Sequence, residues 1–151
     1  VNWASASRAY GYEYYAGDAT NNSTTASYGA AFTTGAIIGV AMDLDNMKLY
    51  MSKDGVWQDS GDPTSGSTGT GTLPFFGGAS NTARAAGVDT YAFAMNIHNS
   101  SVTNANFGSG YFGSTAISSA GTSSSGDDSV WEYDCPTGYY GLNTKNINTY
   151  G

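Results

Sequence analysis

The most regular pattern of apolar and polar positions runs from residue 38 to residue 57. Ile38, Val40, Met42 and Leu44 are apolar at every second position, with Gly39, Ala41 and Asp43 between them. A period of two marks a strand with one face on a core, because successive side chains point to opposite sides. Asp45-Asn46 then supplies turn chemistry, since short Asx side chains tolerate turn dihedrals and bond their own backbone. Leu49 and Met51 resume the alternation opposite Lys48, Tyr50 and Ser52. Asp54-Gly55 suits a two-residue hairpin loop in which both residues take positive φ, and Val56-Trp57 opens the return strand. The pattern predicts a three-strand meander over 38–57. Ile38, Val40, Met42, Leu44, Leu49 and Met51 should lie buried on one side of it, because a slip of one residue would expose them all.

Elsewhere the signals are shorter. Residues 9–15 (AYGYEYY) alternate loosely and read as an aromatic-rich strand, followed by a loop-rich stretch over 16–36 anchored by Tyr28-Gly29 and Phe32. Residues 58–74 are low in complexity and read as a flexible inserted loop. In 91–97, Tyr91, Phe93, Met95 and Ile97 share one face, and Val102 to Phe107 is placed to pair back across Asn99-Ser100-Ser101. A second polar stretch, 118–129, precedes a last segment from Val130 to Ile147. No repeat and no helical period of useful length is present. The expected architecture is all-β, a sandwich of short antiparallel strands with long polar loops and almost no helix, in a single domain spanning 1–151.

Composition sharpens this picture. Gly, Ser, Thr and Asn make up nearly half of the 151 residues, and four leucines and a single glutamine leave little material for a helical bundle. Leu, Ile, Val and Phe are scarce enough to raise disorder as a reading. Twelve Tyr, six Phe and three Trp argue for an ordered chain instead, because each aromatic can bury ~150–250 Å². Only 11% of residues are charged and the net charge is −7, which lacks the basic footprint of a nucleic-acid binder. The longest apolar stretch, Ala36 to Met42, is far short of the ~20 residues of a membrane span. The lone Cys135 excludes an internal disulfide and reads as a small packed residue before Pro136. No N-terminal segment resembles a signal peptide. Beginning at Val1 rather than Met, the chain reads as a processed or partial piece of something longer.

Four blocks, in order, resemble the SPRY domain. GAIIGVAMDLDNMKLYMSKDGVW (35–57) is similar to the family's central meander, where an apolar strand ends in an acidic turn and the next leads through Lys-Asn/Asp-Gly. YGYEYYAGDATNN (10–22) resembles the aromatic stretch upstream of it, and VTNANFG (102–108) the family's Val…Asn-Phe-Gly strand. CPTGYYGLNTKNI (135–147) resembles the ending common in bacteriophage SPRY proteins. The resemblance implies a concanavalin A-like two-sheet sandwich, with the family's first strands absent or reduced to Val1 to Ser7 and with residues 109–129 inserted before the terminal strand. It also implies a non-catalytic recognition or structural module at a virion surface, as a capsid decoration, fibre or tail-associated protein. The expected partners are other virion proteins or copies of itself in a homo-oligomer, with a host-surface glycan or protein as ligand. Nucleic acid and membrane insertion are not expected. A self-assembling appendage or fibre subunit is a second reading, and a glycan-cleaving enzyme of the sandwich-fold glucanase type a third.

Asp43 and Asp45 fall on one strand face, the spacing of a glycosidase acid pair, but a solvent-facing Asp43 and a turn-starting Asp45 fit the pattern better. Asp43-Leu44-Asp45-Asn46 lacks the repeated spacing of an EF-hand calcium loop, and Asp59, Asp62 and Asp127-Asp128 lie in polar loops that could hold at most a weak ion. His98, the single histidine, has neither a G-x-S-x-G elbow nor a zinc ligand set around it. No catalytic residue, metal or cofactor is therefore expected. Asn21, Asn22 and Asn99 head N-x-Ser/Thr sequons, which arise by chance in such a chain. Tyr12, Tyr14, Tyr15, Tyr28 and Trp57 form the candidate ligand-binding set, an aromatic platform for stacking on a sugar or peptide. The competing role for at least half of them is core packing in place of missing aliphatics.

Overall fold

The computed structural model describes residues 10–21, 24–43, 45–46, 48–68, 73–74, 92–95, 100–122 and 128–150. The chain divides into two units, Val1–Ala83 and Arg84–Gly151. Strands predominate over helix and pair in small antiparallel sheets.

The described residues of the first unit form two sheets. In one, β1 (Tyr10–Tyr12), β2 (Asp18–Asn21) and β3 (Thr24–Ser27) lie in the order β1-β2-β3. The strand expected over 9–15 ends at Tyr12, because residues 13–17 turn the chain back. The Gly17 N–H bonds the Glu13 carbonyl at 3.0 Å, and the Glu13 N–H bonds that of Asp18 at 2.8 Å. Gly17 has φ +71° and lies against the Gly29–Ala30 backbone, so a Cβ has no room there.

The second sheet is the meander expected over 38–57. β4 (Ile38–Asp43), β5 (Lys48–Lys53) and β6 (Val56–Trp57) pair in sequence order, and β7 (Leu73–Pro74) adds to the β6 side of β5. Asp54 and Gly55 take φ of 50° and 82°, the two positive values that a type I′ hairpin demands. Between β4 and β5, the Asp43 carboxylate accepts the Asn46 N–H at 2.9 Å and the Asn46 amide at 2.8 Å. Asp43, rather than Asp45, therefore caps this turn.

The one-sided core is corrected. Val40 pairs with Met51 and Met42 with Leu49, so these four do share a face. Leu49 and Met51 are buried, but Val40 and Met42 are 45% and 37% exposed and Ile38 is half-buried. Tyr50, on the face read as polar, is wholly buried opposite Ala41. The cause is position in the sheet. β5 has neighbours on both edges and all of 49–52 buried, whereas β4 is terminal in the described strand order. Ala41, opposite Tyr50, and Ser52, on the same face of β5, are small, and the Tyr50 ring takes up volume that aliphatic side chains fill in other cores. Leu44 lies outside the described residues, as do His98, Asn22, Asn99 and Asp127.

The stretch read as a flexible loop over 58–74 is partly regular. Gln58–Ser60 forms a left-handed turn, with Asp59 and Ser60 at φ 51° and 56°. Pro63–Thr68 is a 3-10 segment started by Asp62, whose carboxylate accepts from the Thr64 N–H at 2.8 Å and the Thr64 hydroxyl at 2.6 Å.

Among the described residues the second unit has a short hairpin, β8 (Tyr111–Phe112) with β9 (Thr115–Ala116), and isolated bridges from Ser109 to Val130 and from Gly121 to Trp131. Polar side chains hold much of the rest. Asn106 Oδ1 accepts the N–H groups of Gly108 and Ser109 at 2.9 Å and of Gly110 at 3.3 Å. Its Nδ2 donates to the Val130 carbonyl at 3.1 Å. Glu132 accepts from the Ser118 N–H and hydroxyl, and Asp134 from the Thr122 N–H.

Two further expectations are corrected here. Residues 92–95 and 101–107 are not strands, and 91, 96 and 97 lie outside the described residues. Asn106 draws the following amides into a turn, which competes with extended pairing. In the last segment, where the resemblance implies a terminal strand, Thr144–Tyr150 forms α1. Asn143 caps it, its Oδ1 accepting the Asn146 N–H at 3.0 Å while its carbonyl accepts that of Ile147 at 3.0 Å. The buried Asn146 side chain then donates to Ser129 Oγ at 3.2 Å and to the Gly141 carbonyl at 2.9 Å.

Candidate functional site

The structure sorts the five aromatic candidates by what surrounds each ring. Tyr12, at the end of β1, meets Tyr28 edge-on at 5.6 Å and Phe32 at 5.2 Å. Its hydroxyl donates to the Ala30 carbonyl at 2.6 Å, with Gln58 Oε1 a longer second acceptor at 3.3 Å. Gln58 is buried; its Oε1 accepts the Ala30 N–H at 2.7 Å and its Nε2 donates to the Val56 carbonyl at 2.7 Å. Gly29 fits against this side chain only because it has no Cβ, which would come within 2.5–2.8 Å of three Gln58 atoms.

Tyr28 follows β3 and is buried. Its hydroxyl accepts the Met51 N–H at 3.1 Å. That N–H points to the edge of β5 where β7 pairs with Leu49 and β6 with Lys53. The Tyr28 oxygen thus fills the gap between two short strands in the same ladder. Burial pushes the Tyr28 phenol above its ordinary pKa, opposed by the Met51 hydrogen bond. It pushes Tyr12 up as well, opposed by the charge of Lys53. Both phenols therefore keep their protons through the neutral range, and Tyr12 remains a donor. These two residues tie the β1 and β3 ends to Ala30, Gln58 and β5.

Tyr14 and Tyr15 are different. They sit on the turn between β1 and β2 and are 52% and 83% exposed, with ring centroids 6.3 Å apart at 77°. Tyr14 also leans on Phe32 at 6.3 Å, and its carbonyl accepts the Phe32 N–H at 2.9 Å. Two amphipathic rings are thus presented to solvent on an anchored turn. Trp57 is half-buried on β6 opposite Ser52 and makes no ring contact with these tyrosines among the described residues. The arrangement joins Tyr12, Tyr14, Tyr15 and Tyr28 through Phe32, which the sequence marks only as a loop anchor. Gln58, which bonds Tyr12, Ala30 and Val56, carries no signal beyond being the single glutamine directly after Trp57.

The acidic residues serve turns. Asp43 spends both carboxylate oxygens on Asn46, and Asp45 is exposed beside it. The hydrogen bond from Lys53, at 2.8 Å, and that from the Ile37 N–H hold Asp54 below the usual carboxylate range. Thr64 does the same for Asp62, and Ser118 for Glu132. Among the described residues no three of His, Cys, Asp and Glu gather to hold a metal, and no helix is long and apolar enough to cross a membrane. Cys135 is half-buried, its Sγ 3.4 Å from the Tyr139 carbonyl. Comparison of the chain with protein-family models, with curated proteins and with solved structures found no match.

Proposed function

We propose that the chain is a non-catalytic recognition module of SPRY-like type on a virus particle, binding a host-surface glycan or protein through Tyr14 and Tyr15. The observation that carries this reading is the pair of exposed rings on a turn tied down at Glu13, Gly17 and Phe32. Such rings offer an apolar body and a polar tip at low conformational cost, the requirement for stacking on a sugar or an extended peptide. The meander with its Asx-capped turn and type I′ hairpin supports the family part of the proposal, in which the sheets of the first unit belong to a two-sheet sandwich. The engagement of Asp43 by Asn46 favours binding over hydrolysis, since a carboxylate committed to a turn is poorly placed to act as an acid or nucleophile. The virion setting rests on the phage-like ending at 135–147, and assembly with copies of the chain or with other virion proteins belongs to the same proposal.

Binding of the chain to whole host cells and to an array of cell-surface glycans tests the reading. The Tyr14→Ala/Tyr15→Ala double variant should lose binding, and Asp43→Asn/Asp45→Asn should retain it. Binding unchanged by the tyrosine substitutions, with assembly into higher-mass species, would favour the purely structural role. Release of reducing ends that either aspartate substitution abolishes would overturn the non-catalytic reading.

A further inference from the structure

The second unit contains an open cleft of about 440 Å³, between the segment 105–109, Asp128 and the start of α1. We propose that this cleft binds a neutral sugar unit, at a site that shares no residue with the tyrosine turn.

Its base is polar and fixed. Asn143 and Asn146 line it and are fixed by the buried Ser129 behind them, Asn143 Nδ2 donating to Ser129 Oγ at 3.1 Å and Asn146 Nδ2 at 3.2 Å. Gly108, with φ +97°, closes on this base; a Cβ there would come within 2.7 Å of Ser129 Oγ and 3.2 Å of Asn143 Nδ2. One wall is apolar. Phe107 is 40% exposed, and its ring is braced edge-on by Phe93 at 5.7 Å and 88°. At the rim Lys145 and Asp128 form an ion pair, with both side chains well exposed.

The chemistry of these three surfaces selects the ligand. Among the described residues the ammonium of Lys145 and the carboxylate of Asp128 offset each other at the mouth, which gives a neutral ligand the advantage over an ion. A hydroxyl group can still use both members, donating to the carboxylate and accepting from the ammonium. The C–H face of a pyranose ring is apolar enough to lie on Phe107. The volume lies within the ~300–1,000 Å³ usual for small-ligand sites, whose walls are mostly apolar with a few convergent polar groups. A sugar bears both hydroxyls and an apolar face.

The test is a titration of the isotope-labelled chain with glucose, galactose and N-acetylglucosamine, beside the anionic N-acetylneuraminic acid, followed by amide NMR. At least one neutral sugar should shift the Gly108 and Ser109 amides and the Asn143 and Asn146 side-chain amides. Phe107→Ala and Asp128→Asn should each weaken that binding by about tenfold or more, a loss of ~1.4 kcal/mol. Asp128 is at the surface, so its variant keeps the test independent of folding, and an unchanged spectrum away from the cleft checks both. Tyr14→Ala/Tyr15→Ala should leave the response intact. The proposal is overturned if no neutral sugar perturbs these amides at ~50 mM, well above a Kd of about 1 mM. It is equally overturned if the anionic sugar binds more tightly, or if binding depends on the tyrosine turn and is indifferent to both cleft variants. That last result would leave the glycan reading of the tyrosine turn standing.

Discussion

The Tyr28 hydroxyl and the Gln58 amide take up backbone groups that strand pairing leaves over. Removing the first is the cleaner experiment, because Tyr28→Phe keeps the ring contact with Tyr12 and deletes only the acceptor of the Met51 N–H. A buried donor left without a partner costs ~1–3 kcal/mol. Urea denaturation should therefore show Tyr28→Phe destabilised by that amount. Tyr15→Phe, at an exposed ring, should stay within ~0.5 kcal/mol of the parent chain. Equal effects would refute the ladder role of Tyr28. The sequence marks all of these tyrosines as aromatic but cannot rank them. A tyrosine has one end that packs and one that bonds, and which end is used depends on partners distant in the chain. Gln58 shows the same limit, since its role comes from Ala30 and Tyr12, 28 and 46 positions away.

Among the elements, the meander was legible because its determinants are local: an alternation, an Asx turn and an Asp-Gly hairpin. Which face would be covered was not, because burial depends on what packs against β5 from outside the meander. This gives an ordered prediction. Tyr50→Ala should cost ~3–5 kcal/mol, in the range for truncating a fully buried aromatic, as measured by thermal or chemical unfolding. Met42→Ala, on the same meander but 37% exposed on terminal β4, should cost under half as much. The reverse order would restore the alternation of the sequence as the guide to the core. The helix α1 was illegible for another reason. Thr and Asn are poor helix formers, so propensity argues against Thr144–Tyr150. The Asn143 cap and the buried Asn146 side chain hold it in place instead.

At the scale of the whole molecule, carboxylates fasten turns in both units: Asp54 and Asp62 in the first, Glu132 in the second. All three are held below their ordinary pKa by the hydrogen bonds they accept. In the unfolded chain they regain ordinary values near 4. The unfolded state therefore binds protons first as the pH falls, and this share of stability, complete above that range, is lost as the pH drops through the folded values. The melting temperature should be flat around neutrality and decline below about pH 4, with a shallower decline in Asp54→Asn. A melting temperature that rises on acidification would contradict these assignments. Asn106 carries a consequence of a different kind. One oxygen atom accepts three successive amides, whereas in a sheet each amide has its own acceptor and can open separately. A single rotation of the Asn106 side chain releases all three together. The three amides therefore lose their side-chain acceptor in one step, while the Val130 and Ile117 N–H groups stay on the Gly108 and Gly110 carbonyls.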